Sequence, residues 1–233
     1  DYGDTLHFRP RHNSDIVLTP KVADIATANN LIFHAAQLLQ QKTHCRLGCH
    51  IQIAKILPLG SGLDGGSSNA ATTLLALNQL WNLELSLDQL AELGLQIGAD
   101  VPVFIRGHSA WAEGIGEQLQ AIQLPETWYL VIKPQCHVST AEIFCHKQLT
   151  RNTTPITITD FFEHGGGNDC ESIVRALYPA VDSALKWLHG YAPTELTGPG
   201  LTGTGAGVFA SFPDKQSAQQ ILKQLPRGLT GFV

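Results

Sequence analysis

Apolar and polar positions trade places from Cys49 to Ala54. Cys49, Ile51 and Ile53 fall on one side and His50, Gln52 and Ala54 on the other, the period of a half-buried strand. Upstream, Thr5–Phe8 and Asp15–Leu18 read as short strands flanking a polar turn from Arg9 to Ser14. Behind an Asn at 29, apolar residues through Leu39 recur at helical spacing, which predicts a capped helix. A second run, Ala70 to Trp81, carries uninterrupted helix formers behind Ser67, Ser68 and Asn69. Ser86 then caps a helix that is expected to stop at Gly94. Ser109–Glu117 reads as a strand entering a glycine turn.

Pro125 opens a second set of elements. Trp128–Lys133 is a buried-type strand, and Val138–Phe144 leads into a helix. Residues 149–167 are polar, and Gly165–Gly167 predicts a loop there. Asn168–Glu171 caps a helix through Leu177, and helical periodicity returns from Asp182 to Tyr191. Leu201–Phe212 is a glycine-rich turn feeding a buried strand, Lys215–Leu225 the last helix, and Thr230–Val233 the start of a strand. Leu196–Gly200 nearly repeats Leu201–Gly205, so one copy reads as a five-residue insertion.

The stretch between the strand ending at Ala54 and the helix at Ala70 changes the picture. Gly60, Gly62, Gly65 and Gly66 fall within seven positions. Glycines permit positive φ and close backbone approach, and a helix start offers unpaired N–H groups at a positive dipole end. The combination is an anion cradle, with a flexible connection into a capped helix as the alternative. The Gly-Lys-Ser/Thr end of a Walker A loop is missing, and the nearest lysine is Lys55. Asp100 stands in an otherwise apolar run before Val101-Pro102, where it reads either as a turn former or as a reactive carboxylate.

Composition adds exclusions. Over 233 residues, 43% hydrophobic and 15% charged content is ordinary for a globular protein with a sizeable core. The net charge of −5 argues against a nucleic-acid surface. No apolar run has the length of a membrane span and no signal-peptide pattern opens the chain. Five scattered cysteines read as reduced thiols of a cytoplasmic protein. His44, Cys45, Cys49 and His50 fit no common zinc spacing, so no protein metal site is expected.

Pro58-Leu-Gly-Ser-Gly-Leu-Asp-Gly-Gly-Ser-Ser-Asn-Ala-Ala71 resembles the central motif of the GHMP kinases. Within them it is most similar to the branch acting on 4-diphosphocytidyl-2-C-methyl-D-erythritol, where the motif reads Pro-x-Gly-x-Gly-Leu-Gly-Gly-Gly-Ser-Ser-Asn-Ala-Ala. Gly98-Ala-Asp-Val-Pro102 and the glycine turn at 201–205 match two further motifs in order. The resemblance implies an α+β kinase of two domains. Residues 1–124 would form a ribosomal protein S5 domain 2-like βαβ nucleotide domain, and residues 125–233 a ferredoxin-like domain. It implies ATP-dependent phosphorylation of a hydroxyl, the 2-hydroxyl of that substrate, on the non-mevalonate isoprenoid route. Asp100 would be catalytic. Pro58, Leu59, Gly60, Ser61, Gly62, Leu63, Asp64, Gly65, Gly66, Ser67 and Ser68 would line the ATP phosphates, with Lys55 and Asn30 near the adenine. Thr140 and Phe144 would hold the cytidyl group. Mg²⁺ would accompany ATP, with Ser67 the hydroxyl near it. A monomer or weak homodimer without nucleic-acid or membrane partners is implied.

Two departures qualify the match. The chain has no methionine, and the family's first strand, with a lysine that pairs with the catalytic aspartate, would precede Asp1; the last strand would follow Val233. A fragment is therefore expected. Asp64 stands where the motif has glycine. Mevalonate- or homoserine-type kinases, or a non-catalytic ligand- or RNA-binding module on the same scaffold, are the alternatives.

Overall fold

A computed structural model describes residues 2–20, 25–192 and 198–233. Its contacts divide the chain into two compact units: Gly3–Leu57 with Asp64–Leu124, and Tyr2 and Pro58–Leu63 with Pro125–Val233. The division differs from a simple 1–124 and 125–233 split in the glycine loop. Pro58–Leu63 groups with the second unit because Ala206 N–H donates to the Gly60 carbonyl and Gly207 N–H to that of Ser61, both at 3.1 Å.

In the first unit, β1 (Thr5–Arg11), β2 (Ile16–Thr19) and β3 (Gly48–Ala54) form a sheet ordered β1-β3-β2. β1 runs antiparallel to β3 and β2 parallel to it. The parallel pair is joined through α1 (Leu31–Thr43), giving a βαβ crossover. The α1 cap is Asn30, whose side chain accepts from Ile32 N–H. The expected alternation holds: Cys49, Ile51 and Ile53 are buried against Ala35, Ala36 and Leu39 of α1. α2 (Gly65–Leu80), α3 (Leu87–Leu95) and α4 (Val101–Arg106) complete that core, and β4 (Ala110–Glu113) pairs with β5 (Gln118–Ala121) as a hairpin. α3 has the expected Ser86 cap, as a capping box with Gln89. It does not stop at Gly94. Gly94 lies inside the helix, where a Cβ would meet Val101 and Ile105 side chains at 2.8 Å, so its smallness admits α4.

The second unit carries β6 (Trp128–Lys133), β7 (Gly200–Leu201), β8 (Val208–Phe212) and β9 (Thr230–Phe232) in the order β7-β8-β6-β9, all antiparallel. Between β6 and β7 come α5 (Thr140–Cys145), α6 (Ile158–His164), α7 (Glu171–Leu177) and α8 (Pro179–His189). Between β8 and β9 comes α9 (Lys215–Leu222). This strand order with helical crossovers is the ferredoxin-like arrangement. Leu130, Ile132, Val174, Leu185, Leu188 and Val208 are its buried centre. The polar stretch 149–167 contains α6, which buries no residue and starts on a Thr157–Asp160 capping box, and the loop expected at Gly165–Gly167 follows it. Of the near-repeat at 196–200, Leu196 and Thr197 lie outside the described residues; Gly200 pairs with Phe209.

Candidate active site

β3 delivers the chain to the glycine loop, and the helix behind it begins earlier than capping rules suggest. α2 starts at Gly65 with Asp64 as its N-cap residue, and its first helical hydrogen bond runs from Ser68 N–H to the Asp64 carbonyl. Ser67, Ser68 and Asn69 therefore sit inside the helix and do not precede it. Ser68 and Asn69 offer their carbonyls to the hydroxyls of Thr72 and Thr73, and the Asn69 amide is drawn aside to Asp4. The N–H groups of Gly65, Gly66 and Ser67 consequently precede the first intrahelical bond, free in helix geometry for an anion.

Asp64 takes the left-handed conformation, φ 48° and ψ 30°, and its side chain makes no capping bond. Desolvation in the fold of the loop, and then the Asp100 carboxylate, push its carboxyl up to about 6. The residue is nonetheless exposed. The first half of the loop is set from the 201–207 turn. Thr202 donates its hydroxyl to the Gly62 carbonyl at 2.6 Å. Gly62 has φ +69°, and a Cβ there would stand 2.1 Å from the Thr202 carbonyl oxygen, so no larger residue fits. Ser61 is buried and spends its hydroxyl on the Pro58 carbonyl, whereas Leu59 and Gly60 are exposed. Pro58 and Leu63 are half-buried.

Asp100 precedes α4 in the N-cap position, yet its side chain makes no capping hydrogen bond and is exposed. The turn-forming alternative thus leaves its carboxylate unused. Its segment lies beside the start of α2, since a Cβ on Gly98 would stand 3.9 Å from Ser67 Oγ. The β4–β5 turn backs the same segment: at Gly116, φ +111°, a Cβ would meet the Ala99 carbonyl at 2.8 Å.

Lys55 and Asn30 are differently placed from free ligands. Lys55 Nζ donates to Asp4 Oδ2 and to the Leu57 carbonyl, both at 2.7 Å. Asn30, 8% exposed, spends its side-chain oxygen on the α1 cap. In the second unit, Phe144 is 52% exposed on α5, which removes it from the core. Thr140 Oγ1 lies 2.9 Å from Thr204 Oγ1, bringing the α5 start to the glycine turn. The Asn168 amide nitrogen donates to the Leu201 and Gly203 carbonyls, and Glu171 accepts from Leu201 N–H, so α7 fastens that turn. Asp4 and Thr202 were not singled out by the sequence pattern, and Asn69 only as part of a helix cap.

The GHMP kinases N terminal domain matches residues 30–108, and the GHMP kinases C terminal domain matches residues 159–230. The chain is 50% identical, over all 233 of its residues and 76% of the relative's length, to a protein of Mannheimia succiniciproducens. That relative is named 4-diphosphocytidyl-2-C-methyl-D-erythritol kinase, as is one from Pasteurella multocida at 48% identity over the whole chain and 77% of the relative. The chain belongs to the GHMP kinases. A crystal structure of 4-(cytidine 5'-diphospho)-2C-methyl-D-erythritol kinase is similar to it with a TM-score of 0.78 at 26% identity, covering 98% of this chain and 84% of that one. GHMP kinases are small-molecule kinases with ATP as phosphate donor, and the chain carries both of their domains.

Proposed function

We propose that this GHMP kinase transfers the γ-phosphoryl group of ATP to the 2-hydroxyl of 4-diphosphocytidyl-2-C-methyl-D-erythritol, within the non-mevalonate route to isoprenoid precursors. The observation that carries this reading is 50% identity, across every residue of the chain, to a relative bearing that name. The site residues accord with it. ATP phosphates rest on main-chain N–H groups between Gly60 and Ser68, with Asn30 and Lys55 near the adenine. Thr140 and Phe144 take the cytidyl end, Phe144 by presenting its exposed ring to the base.

Asp100 orients the substrate hydroxyl and accepts its proton as the oxygen attacks the γ-phosphorus and the bond to the β-phosphate oxygen breaks, releasing ADP. Its uncommitted, exposed carboxylate supports that role. Mg²⁺ would be held chiefly by ATP phosphates, with the Ser67 hydroxyl as the hard oxygen donor from the chain. When bound it neutralises charge on the β- and γ-phosphates. Among the described residues no helix is long and apolar enough to cross a membrane, and we place the enzyme in the cytoplasm as a monomer or weak homodimer. Coupled ADP-release assays on the full chain with the cytidyl substrate, mevalonate and homoserine test the reading. ATP-dependent turnover of the cytidyl substrate alone is expected; turnover of either competitor in its place overturns it.

A further inference from the structure

Both ends of the glycine loop are fastened to one carboxylate. The Asp4 side chain is 1% exposed, and each of its oxygens accepts two hydrogen bonds. Oδ1 takes the N–H groups of Ile56 and Leu57, at 2.7 and 2.8 Å, immediately before Pro58. Oδ2 takes Lys55 Nζ at 2.7 Å and the Asn69 amide at 2.8 Å, from the fifth residue of α2. An ion pair that merely clipped β1 to β3 would need only Lys55. Here three of the four donors belong to the segments entering and leaving the loop, and charge-assisted bonds of this kind are the strong ones. Lys55 is also spoken for, by Asp4 and by the Leu57 carbonyl, so its charge is compensated inside the fold.

We propose that Asp4 is a positioning residue for phosphate recognition. By holding Leu57 and Asn69 on one group it fixes the span of the loop between them, and with it the aim of the N–H groups at the α2 start. The inference rests on the kinase reading and deepens it, because it assigns the phosphate-specific share of ATP affinity to a residue that touches no phosphate.

The test compares Asp4→Asn and Asn69→Leu with wild type in the full chain, titrating ATP and adenosine calorimetrically and following thermal unfolding in parallel. Asp4→Asn also releases the Lys55 charge; Asn69→Leu changes no charge and decides the outcome if Asp4→Asn fails to fold. Loss of a hydrogen bond to a charged group corresponds to about tenfold or more in affinity. Asn69→Leu is expected to weaken ATP by that factor and leave adenosine unchanged; Asp4→Asn, which also frees Lys55 near the adenine, is expected to lower the ratio of ATP to adenosine affinity by that factor. A purely structural role predicts a lowered unfolding temperature with the ATP-to-adenosine ratio intact, and that result overturns the proposal. A wild-type chain that binds adenosine and ATP equally overturns the phosphate reading of the loop and this inference together.

Discussion

Thr202 and Gly62 are joined twice: the threonine hydroxyl donates to the glycine carbonyl at 2.6 Å, and the threonine carbonyl occupies the place of a Cβ on the glycine. The glycine turn at 201–207 is therefore the mould in which the Gly60–Gly62 backbone is cast. Thr202→Val removes the hydroxyl at nearly constant volume. It is expected to weaken ATP binding by about fivefold, near the 1 kcal/mol of a typical hydrogen bond, with Thr202→Ser restoring it. Calorimetric titration of the three proteins with ATP checks this; unchanged affinity in Thr202→Val would mean that packing alone shapes the loop.

Asp100 caps nothing and is exposed, so its removal has little structural cost. Asp100→Asn should leave ATP affinity nearly intact and lower turnover by about 10²-fold or more. Steady-state rates with the cytidyl substrate decide it, and full turnover would strip Asp100 of the catalytic role.

Phe144 presents an exposed ring from α5. Phe144→Ala is expected to cost about 1–3 kcal/mol in affinity for the cytidyl substrate, the value of base–aromatic stacking, and to spare ATP. Because the ring is outside the core, the unfolding temperature should hardly move. A cooperative loss of stability would return Phe144 to a packing role.

Asp64 combines left-handed backbone with a carboxyl raised to about 6 by desolvation and by Asp100. Asp64→Gly relieves both and should tighten ATP binding about tenfold, or about 1.4 kcal/mol, more so at low salt. The sign with pH follows from the raised value. Below the ordinary carboxylate range the group is neutral in both folded and unfolded chains and costs nothing. The stability cost builds from the ordinary carboxylate range, where the unfolded chain ionises, up to about 6, where the folded form is forced to ionise, and it is complete above that. The advantage of Asp64→Gly, in ATP affinity and in unfolding temperature, should accordingly be larger at neutral pH than at pH values well below 6. Titrations at two pH values and two ionic strengths check this. An advantage that is flat with pH would place the carboxylate in open water.

Periodicity carried most of the fold, because α1 and β3 bury one face each and their apolar residues must repeat at the element's own period. α6 was invisible for the same reason: it buries nothing, so only its Thr157–Asp160 cap marks it. The α2 start was misplaced because Ser67, Ser68 and Asn69 look like caps, while Asn69 is committed to Asp4, 65 residues away. Asp4 itself gave no signal. An acid at the head of a short strand is unremarkable in sequence, and all four of its partners come from segments brought near only by the sheet and the α2 packing. The glycine loop and the Asp100 turn were legible because their chemistry is local.

The proposed cradle is made of main-chain groups, and that has a bearing on how such a site changes over generations. Side chains such as Leu59 point outward and carry no donor, so the loop can drift at these positions without losing an N–H group. Atomic room is what it cannot give up. At Gly62 and at Gly207, where a Cβ would come within 2.3 Å of a facing carbonyl oxygen, even one added methyl forces two backbones apart. Replacement by anything larger at either place should be purged, whereas Asp64, which holds its left-handed backbone at the cost of some strain, can persist and be offset elsewhere.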